Sequence, residues 1–225
     1  EQVSEVCNFV YMSAPEGRFE MPVYSIISDK KNFYSNDTGI LVPGKLGSQP
    51  NPPGWQPWYT NANYYGRGIE WERPIGLTVF REDGTVGLNV NCGVRVSGGY
   101  TRVNKQKSLR LYARKAYTPD SGVFEYSFWD GLRGSHTGTP VAFSDTVLLR
   151  GGSNNEGNAI FTTPALLMLL DGTDLDRPAI TPVVEYINGR YYGIAMLLED
   201  YDVDFFLANY GVPEEYLTTL KGTAP

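Results

Sequence analysis

Residues 93–114 read GVRVSGGYTRVNKQKSLRLYAR, and this stretch indicates a sheet of short strands around a glycine turn. Residues 93–97 alternate apolar and polar side chains, which is the pattern of a half-buried strand. Residues 108–114 alternate in the same way. Gly98 and Gly99 interrupt the pattern between them, as glycines do in turns. The stretch therefore predicts two strands that are joined through a glycine turn and a short basic segment.

The same stretch concentrates positive charge in a chain that is otherwise acidic. Its cations, with the lysine that follows it, are Arg95, Arg102, Lys105, Lys107, Arg110, Arg114 and Lys115. In the second strand, alternation places Arg110 on the face opposite Leu109 and Leu111. A strand, a glycine turn and converging cations together meet the requirements of a phosphate-binding site. The alternative is a solvated basic face that nearby carboxylates neutralise, and the residues alone leave both interpretations open.

Further strands are predicted on both sides of this stretch, from β-branched and aromatic runs that are bounded by turn residues. They cover residues 21–27, 40–42, 73–80, 147–150, 183–187 and 190–198. Asn188 and Gly189 separate the last two strands, which is a strong hairpin signal. Helices are predicted over residues 163–170 and 202–210, the second ending at Gly211. We therefore expect an α+β fold with a mainly antiparallel β-sheet and a few short helices.

The composition is that of an ordinary globular chain with an excess of acidic residues. Of 225 residues, 41% are hydrophobic and 20% are charged, and the formal net charge is -6. This charge disfavours nonspecific binding to nucleic acid or to an anionic membrane surface. No apolar run approaches the ~18 residues that a membrane span needs. We therefore expect neither nucleic acid nor a membrane as a partner.

The cysteine and histidine content gives little support for a metal site. Cys7 and Cys92 are far apart in the sequence, and they predict either one disulfide of a secreted protein or two buried free thiols. Only His136 could add an imidazole ligand. We therefore predict no metal-binding residues in the chain.

Residues 43–70 form a long loop rich in Gly, Pro and aromatic residues, which we call the aromatic loop. Long loops inside compact domains are commonly functional. Its aromatic side chains include Trp55, Trp58, Tyr59, Tyr64 and Tyr65. If they are exposed, they form a platform on which the sugar rings of a polysaccharide could stack. The alternative is that they fold back and cover the sheet.

The basic stretch resembles the CotH kinase family, the spore coat protein H-like atypical protein kinases. Residues 93–102 are similar to the family pattern G-[IV]-R-[IV]-x-G-G-x-[ST]-R, and residues 106–114 to [QK]-K-S-[LF]-R-L-x-x-R. Residues 148–152, LLRGG, and 182–193, PVVEYINGRYYG, are similar to later strands of the family. The resemblance implies that residues 1–225 are the N-terminal lobe of a single CotH-like domain, with a sheet like that of a kinase N-lobe and the aromatic loop as an insertion.

The resemblance also implies a function. CotH kinases bind ATP and Mg between a β-rich and a helical lobe and transfer phosphate to Ser or Thr hydroxyls of a protein substrate. The implied nucleotide contacts are Lys107 first, then Arg95, Arg102, Arg110 and Glu199. The catalytic and magnesium-binding acids of the family belong to a later helical lobe, so we predict no catalytic residue here and no catalysis by this chain alone. The implied location is extracellular or the bacterial spore coat, with a protein substrate or a coat partner.

Overall fold

The computed structural model describes residues 10–13, 20–55, 60–117, 121–155, 159–170, 173 and 175–218. The strands are β1 (Val23–Ile27), β2 (Arg73–Phe80), β3 (Val86–Ser97), β4 (Ser108–Tyr112), β5 (Thr146–Arg150), β6 (Ile180–Ile187) and β7 (Arg190–Leu198). The α-helices are α1 (Lys30–Tyr34), α2 (Thr162–Met168) and α3 (Val203–Tyr210). Short 3₁₀ helices are Lys45–Ser48, Asn63–Tyr65, Ile69–Trp71, Tyr100–Val103, Ser153–Asn155 and Glu214–Tyr216.

The strands form a closed barrel in the order β1-β2-β3-β4-β5-β7-β6. Every pair is antiparallel except β1 and β6, which run parallel and close the barrel. This confirms the predicted α+β class and the mainly antiparallel pairing. A sheet like that of a kinase N-lobe was expected, whereas the observed sheet closes on itself. Closure occurs because β1 pairs on one side with β2 and on the other with β6, which leaves neither strand as an edge.

Alternate residues of each strand point into the barrel and form the core. Leu109 and Leu111 of β4 are fully buried there, as the alternation in the sequence predicts. Val94 of β3 and Leu149 of β5 lie beside them and are equally buried. Full burial of one such aliphatic side chain contributes about 1.5–3 kcal/mol. A change such as Leu109→Ala would therefore remove about 2–5 kcal/mol of stability.

The β6–β7 hairpin turns at the two residues that the sequence predicts. Asn188 and Gly189 both have positive φ, 49° and 74°. This is the conformation that a two-residue hairpin turn of the right twist requires. The Asn188 side chain also accepts a hydrogen bond from the Ser28 N–H at 2.9 Å, which links the turn to the end of β1.

Helix α3 is held by a cap at each end. The Asp202 carboxylate accepts a hydrogen bond from the Phe205 N–H at 3.1 Å and another from the Thr146 hydroxyl at 2.8 Å. At the other end Gly211 adopts the left-handed conformation with φ 69°. The predicted helix over residues 202–210 is confirmed, with Asp202 as the N-cap, a position that favours a negative charge.

One predicted strand, over residues 40–42, is wrong. The Ile40 and Leu41 N–H groups donate to the carbonyls of Asn32 and Phe33, both at 3.0 Å. The segment therefore bonds to α1, a helix that the sequence did not predict, and it pairs with no strand in the described part of the chain. Within the described ranges, no helix combines the length and apolar content that crossing a membrane would require.

Candidate functional site

A cleft of about 440 Å³ lies on the outer face of the barrel, beside β3 and β4. Arg95 of β3 and Arg110 of β4 are opposite each other in the antiparallel register. Both point outward, because their strand neighbours, including Leu109 and Leu111, fill the interior. Arg67 of the aromatic loop and Arg102 also line the cleft, together with Tyr112 and the glycine turn. Four guanidinium groups therefore meet at one place in an acidic chain.

The Arg95 guanidinium is held by an aromatic ring and a carboxylate. Its Cζ lies 4.1 Å from the centre of the Tyr112 ring, and the Arg114 Cζ lies 4.8 Å from the same ring. The Glu72 side chain, only 1% exposed, accepts two-pronged hydrogen bonds from Arg114, at 2.9 and 3.1 Å. The Arg95 Nε lies 3.5 Å from the same carboxylate. These contacts fix the orientation of Arg95 before any ligand arrives.

Arg102 is buried and ties the glycine turn to the aromatic loop. Its guanidinium donates to the carbonyls of Gly98 at 2.6 Å, Gly66 at 2.8 Å and Tyr64 at 3.1 Å. Burial is the main reason that the pKa of Arg102 falls to about 10, and the positive charges of Arg67 and Arg95 contribute to this lowering. Arg102 therefore builds the wall of the cleft, and its charge adds to the positive potential there.

Arg110 retains donor capacity although it has an ion-pair partner. One terminal nitrogen lies 2.8 Å from the Asp200 carboxylate. The Nε atoms of Arg110 and Arg95 are buried and have no hydrogen-bond partner among the described residues. A buried donor without an acceptor costs free energy, and a bound anion would remove that cost. The cleft therefore has the chemistry of an anion site.

Lys107 lies elsewhere and is not among the described residues that line this cleft. It is 4% exposed, and its Nζ donates to the Asn104 carbonyl at 2.8 Å. The same nitrogen lies 4.2 Å from the centre of the Tyr64 ring. The structure thus brings Arg95, Arg102 and Arg110 together in one cleft but places Lys107 against the aromatic loop.

Glu199 is also not among the described residues that line the cleft, although its neighbour Asp200 pairs with Arg110. It is buried at the end of β7, and its carboxylate accepts the Ala179 N–H at 2.9 Å. Burial raises the pKa of Glu199, and the bond from Ala179 opposes that shift. Among the described residues, no group of three His, Cys, Asp or Glu side chains could hold a metal ion.

The described aromatic side chains of the aromatic loop pack against the barrel. Tyr64 and Tyr65 are each 7% exposed, and Trp55 is half-buried with its ring centre 5.2 Å from that of Tyr65. The Tyr65 hydroxyl donates to the Tyr100 carbonyl at 3.1 Å. These three residues therefore do not form an exposed platform. Trp58 and Tyr59 lie outside the described residues, so a polysaccharide site there stays a prediction.

The structure describes one of the two cysteines, Cys92. Cys92 is a fully buried free thiol in the core, and burial raises its pKa. Cys7 lies outside the described residues. A free thiol of this kind behaves as a small apolar side chain.

Sequence reasoning missed two residues of the cleft and one that supports it. Arg67 reaches the cleft from the aromatic loop, where no periodic pattern marks it. Glu72 anchors both Arg95 and Arg114, although it lies more than twenty residues before them in the sequence. Tyr112 contacts the guanidinium groups of Arg95 and Arg114, a role that the sequence did not indicate.

The comparisons with known proteins identify the family of the chain. It has no significant match among curated proteins. A family model described as CotH kinase protein matches residues 94–222, which begin in β3 and include the glycine turn and the strands β4 to β7. Because this match covers more than half of the sequence, the chain belongs to the CotH kinase family.

Proposed function

We propose that this chain is the nucleotide-binding part of a CotH-type protein kinase and that the arginine cleft receives the phosphates of ATP. The observation that carries the proposal is the convergence of Arg67, Arg95, Arg102 and Arg110 on a cleft of about 440 Å³ beside a glycine turn. In this proposal the barrel takes the place of a kinase N-lobe. The full protein would then transfer phosphate from ATP to a Ser or Thr hydroxyl of a protein substrate.

The chemistry of phosphoryl transfer supports the assignment. Catalysis of this reaction depends mainly on positioning the phosphates and neutralising their charge. Arginine suits that task, because its planar guanidinium binds phosphate oxygens through two parallel hydrogen bonds. Arg95 is already oriented by Tyr112 and Glu72, so little side-chain entropy would be lost on binding.

The local charge supports the same assignment. Acidic side chains at the cleft are Glu72, which pairs with Arg95 and Arg114, and Asp200, which pairs with Arg110. Glu70 lies beside Gly68 at the rim. The arginines still outnumber these carboxylates, although the whole chain has a net charge of -6. The cleft thus provides a positive site on an acidic protein, and steering of an anionic ligand follows from that contrast.

Other parts of the expected function remain proposals. The binding of Mg together with ATP is one of these proposals. Lys107 as a phosphate contact and Glu199 as part of the nucleotide site stay predictions, since both have other partners in the structure. An extracellular or spore-coat location, with a protein substrate or coat partner, is what the family implies.

The test is a thermal-shift titration of the chain with ATP, with and without Mg. A ligand at a hundred times its dissociation constant stabilises the folded state by about 2.7 kcal/mol. For a chain of this size we expect the melting temperature to rise by roughly 5–10 °C. Arg95→Gln and Arg110→Gln should each reduce the shift. Arg190→Gln, an exposed arginine at the start of β7, is the matched control and should leave it unchanged.

A flat response of the wild-type chain at millimolar ATP would refute the proposal. So would an equal loss of the shift in Arg190→Gln, because that result would indicate nonspecific attraction. Circular dichroism of each variant confirms that the fold is intact.

A further inference from the structure

We infer that the arginine cleft continues over the glycine turn into a second cleft around Arg150, and that the joined site binds a chain of at least two phosphoryl groups. The inference rests on the proposed function and extends its phosphate site across the glycine turn to Arg150. Its residues are those of β5 and the loop after it, to which neither the sequence patterns nor the family match assigns a role.

The first support is the position of three arginines on neighbouring strands. Arg95 of β3 pairs with Arg110 of β4, and Arg110 pairs with Leu148 of β5. Arg150 is two residues beyond Leu148 and therefore on the same outer face. Such a diagonal neighbour lies about 7–8 Å from its counterpart, which is within reach of long side chains. The three guanidinium groups thus form one basic row across three adjacent strands.

The second support is the shape of the surface. A second cleft of about 360 Å³ is lined by Arg150, Ser108 and Asn154, among others. It shares Ser97, Gly98 and Gly99 with the arginine cleft. The glycine turn is therefore the common wall of the two clefts.

The glycine turn separates the two clefts only by backbone atoms, because Gly98 and Gly99 have no side chains. A Cβ atom built on Gly99 would meet no other atom within 4 Å, so the space beside Gly99 is open, whereas one built on Gly98 would lie 2.8 Å from the Thr101 hydroxyl. A ligand can therefore pass over the turn at Gly99 without displacing a side chain. The turn itself is fixed from below by Arg102, which binds the Gly98 carbonyl at 2.6 Å.

The third support is that each of the two clefts has an arginine with donor capacity to spare. The guanidinium groups of Arg67 and Arg150 have no hydrogen-bond or ion-pair partner among the described residues. Arg67 is exposed and Arg150 is half-buried. In contrast, Arg102 donates to three carbonyls and is committed to the structure. The groups that remain available lie on both sides of the glycine turn.

The floor of the second cleft is also ordered. The Ser108 hydroxyl accepts the Gly151 N–H at 3.2 Å, and the Asn104 side chain donates to the Ser153 carbonyl at 2.6 Å. These bonds anchor the start of the loop after β5, next to Arg150. A single phosphate is too short to contact the arginines of both clefts at once, whereas an oligophosphate could contact arginines in both.

The experiment is calorimetric titration with inorganic phosphate, pyrophosphate and tripolyphosphate in the absence of divalent metal. We expect tripolyphosphate to bind the wild-type chain at least tenfold more tightly than phosphate. Arg150→Gln should remove most of this advantage and change the affinity for phosphate less than twofold. Arg95→Gln should weaken the binding of all three, and Arg190→Gln should change none.

A second variant guards against misfolding of Arg150→Gln. Asn154 is exposed and lines the second cleft, so Asn154→Glu adds a carboxylate there without disturbing the barrel. This variant should weaken the binding of tripolyphosphate more than the binding of phosphate. Wild-type affinity for tripolyphosphate in both Arg150→Gln and Asn154→Glu would overturn the inference.

The two proposals fail in different ways. If ATP binding depends on Arg95 but tripolyphosphate binding does not depend on Arg150, the proposal of a joined site is wrong and the nucleotide proposal stands. If tripolyphosphate binds through Arg150 while ATP gives no thermal shift, the joined site stands and the nucleotide proposal is wrong. If no phosphate compound binds, both are wrong.

Discussion

Glu185 of β6 is a buried carboxyl group whose ionisation should control the stability of the barrel. It is 0% exposed and lies between Val183 and Ile187 on the inner face of the strand. Neither carboxyl oxygen accepts a hydrogen bond of normal geometry from a described residue. Burial raises the pKa of Glu185 from 4.5 to about 8, and the nearby Gln106 amide opposes part of that shift. The carboxyl is therefore neutral in the folded barrel at neutral pH.

The perturbation is Glu185→Gln, which keeps the shape of the side chain and removes its titration. In the unfolded wild-type chain Glu185 ionises near pH 4.5, whereas in the folded chain it ionises near pH 8. Its folded-state pKa is raised, so its contribution to stability is complete below pH 4.5 and is lost as the pH rises towards 8. With about 1.4 kcal/mol for each pKa unit, the loss is about 3 kcal/mol at pH 7.

Urea unfolding from pH 5 to pH 9, followed by tryptophan fluorescence, measures this loss. The difference in the free energy of unfolding, Glu185→Gln minus wild type, should increase by about 4 kcal/mol from pH 5 to pH 9. Glu82→Gln, in the exposed β2–β3 turn, is the control and should stay within about 0.5 kcal/mol of the wild type at each pH. A difference between Glu185→Gln and the wild type that does not change with pH would refute the reasoning.

Three further substitutions test the contacts that hold the cleft and the barrel. Arg114→Met should lower the free energy of unfolding by about 2–4 kcal/mol, because Glu72 stays buried while its main ion-pair partner is removed. The control is Lys115→Met at the exposed neighbouring residue, which should have little effect. Asp202→Ala should cost about 1–2 kcal/mol in urea unfolding through the lost cap of α3, and an unchanged midpoint would contradict that role. Gly189→Ala should cost about 1–2 kcal/mol, since φ is 74° in the hairpin turn and no atom crowds the site; a neutral result would show that the turn can rearrange.

Local patterns predicted the strands of the site well. Alternation over residues 93–97 and 108–114 placed Arg110 on the outer face and Leu109 in the core, as the structure has them. Turn chemistry at Asn188 and Gly189 located the hairpin correctly. These predictions are correct because each feature depends on interactions among residues that are close in sequence.

Features that depend on distant residues were not predictable. Closure of the barrel needs Val23 of β1 to pair with Val184 of β6, and nothing local marks that contact. Nothing in the sequence distinguishes Arg102 from Arg95. In the structure Arg102 is held by the Tyr64 and Gly66 carbonyls of the aromatic loop, whereas Arg95 faces the cleft. Glu185 is unexpected because a glutamate in a strand is usually exposed.

Lys107, just before β4, and the arginines of the cleft differ in what an anion would have to displace. On the side of the aromatic loop, Lys107 is buried and its charge is met by the Asn104 carbonyl and the Tyr64 ring. A phosphate there would have to break these contacts and lose its own hydration. On the outer face, the Arg95 and Arg110 side chains are 24% and 32% exposed and already oriented. An anion would reach them without unpacking the barrel, so the outer face is where the sequence's basic stretch can act as a binding site.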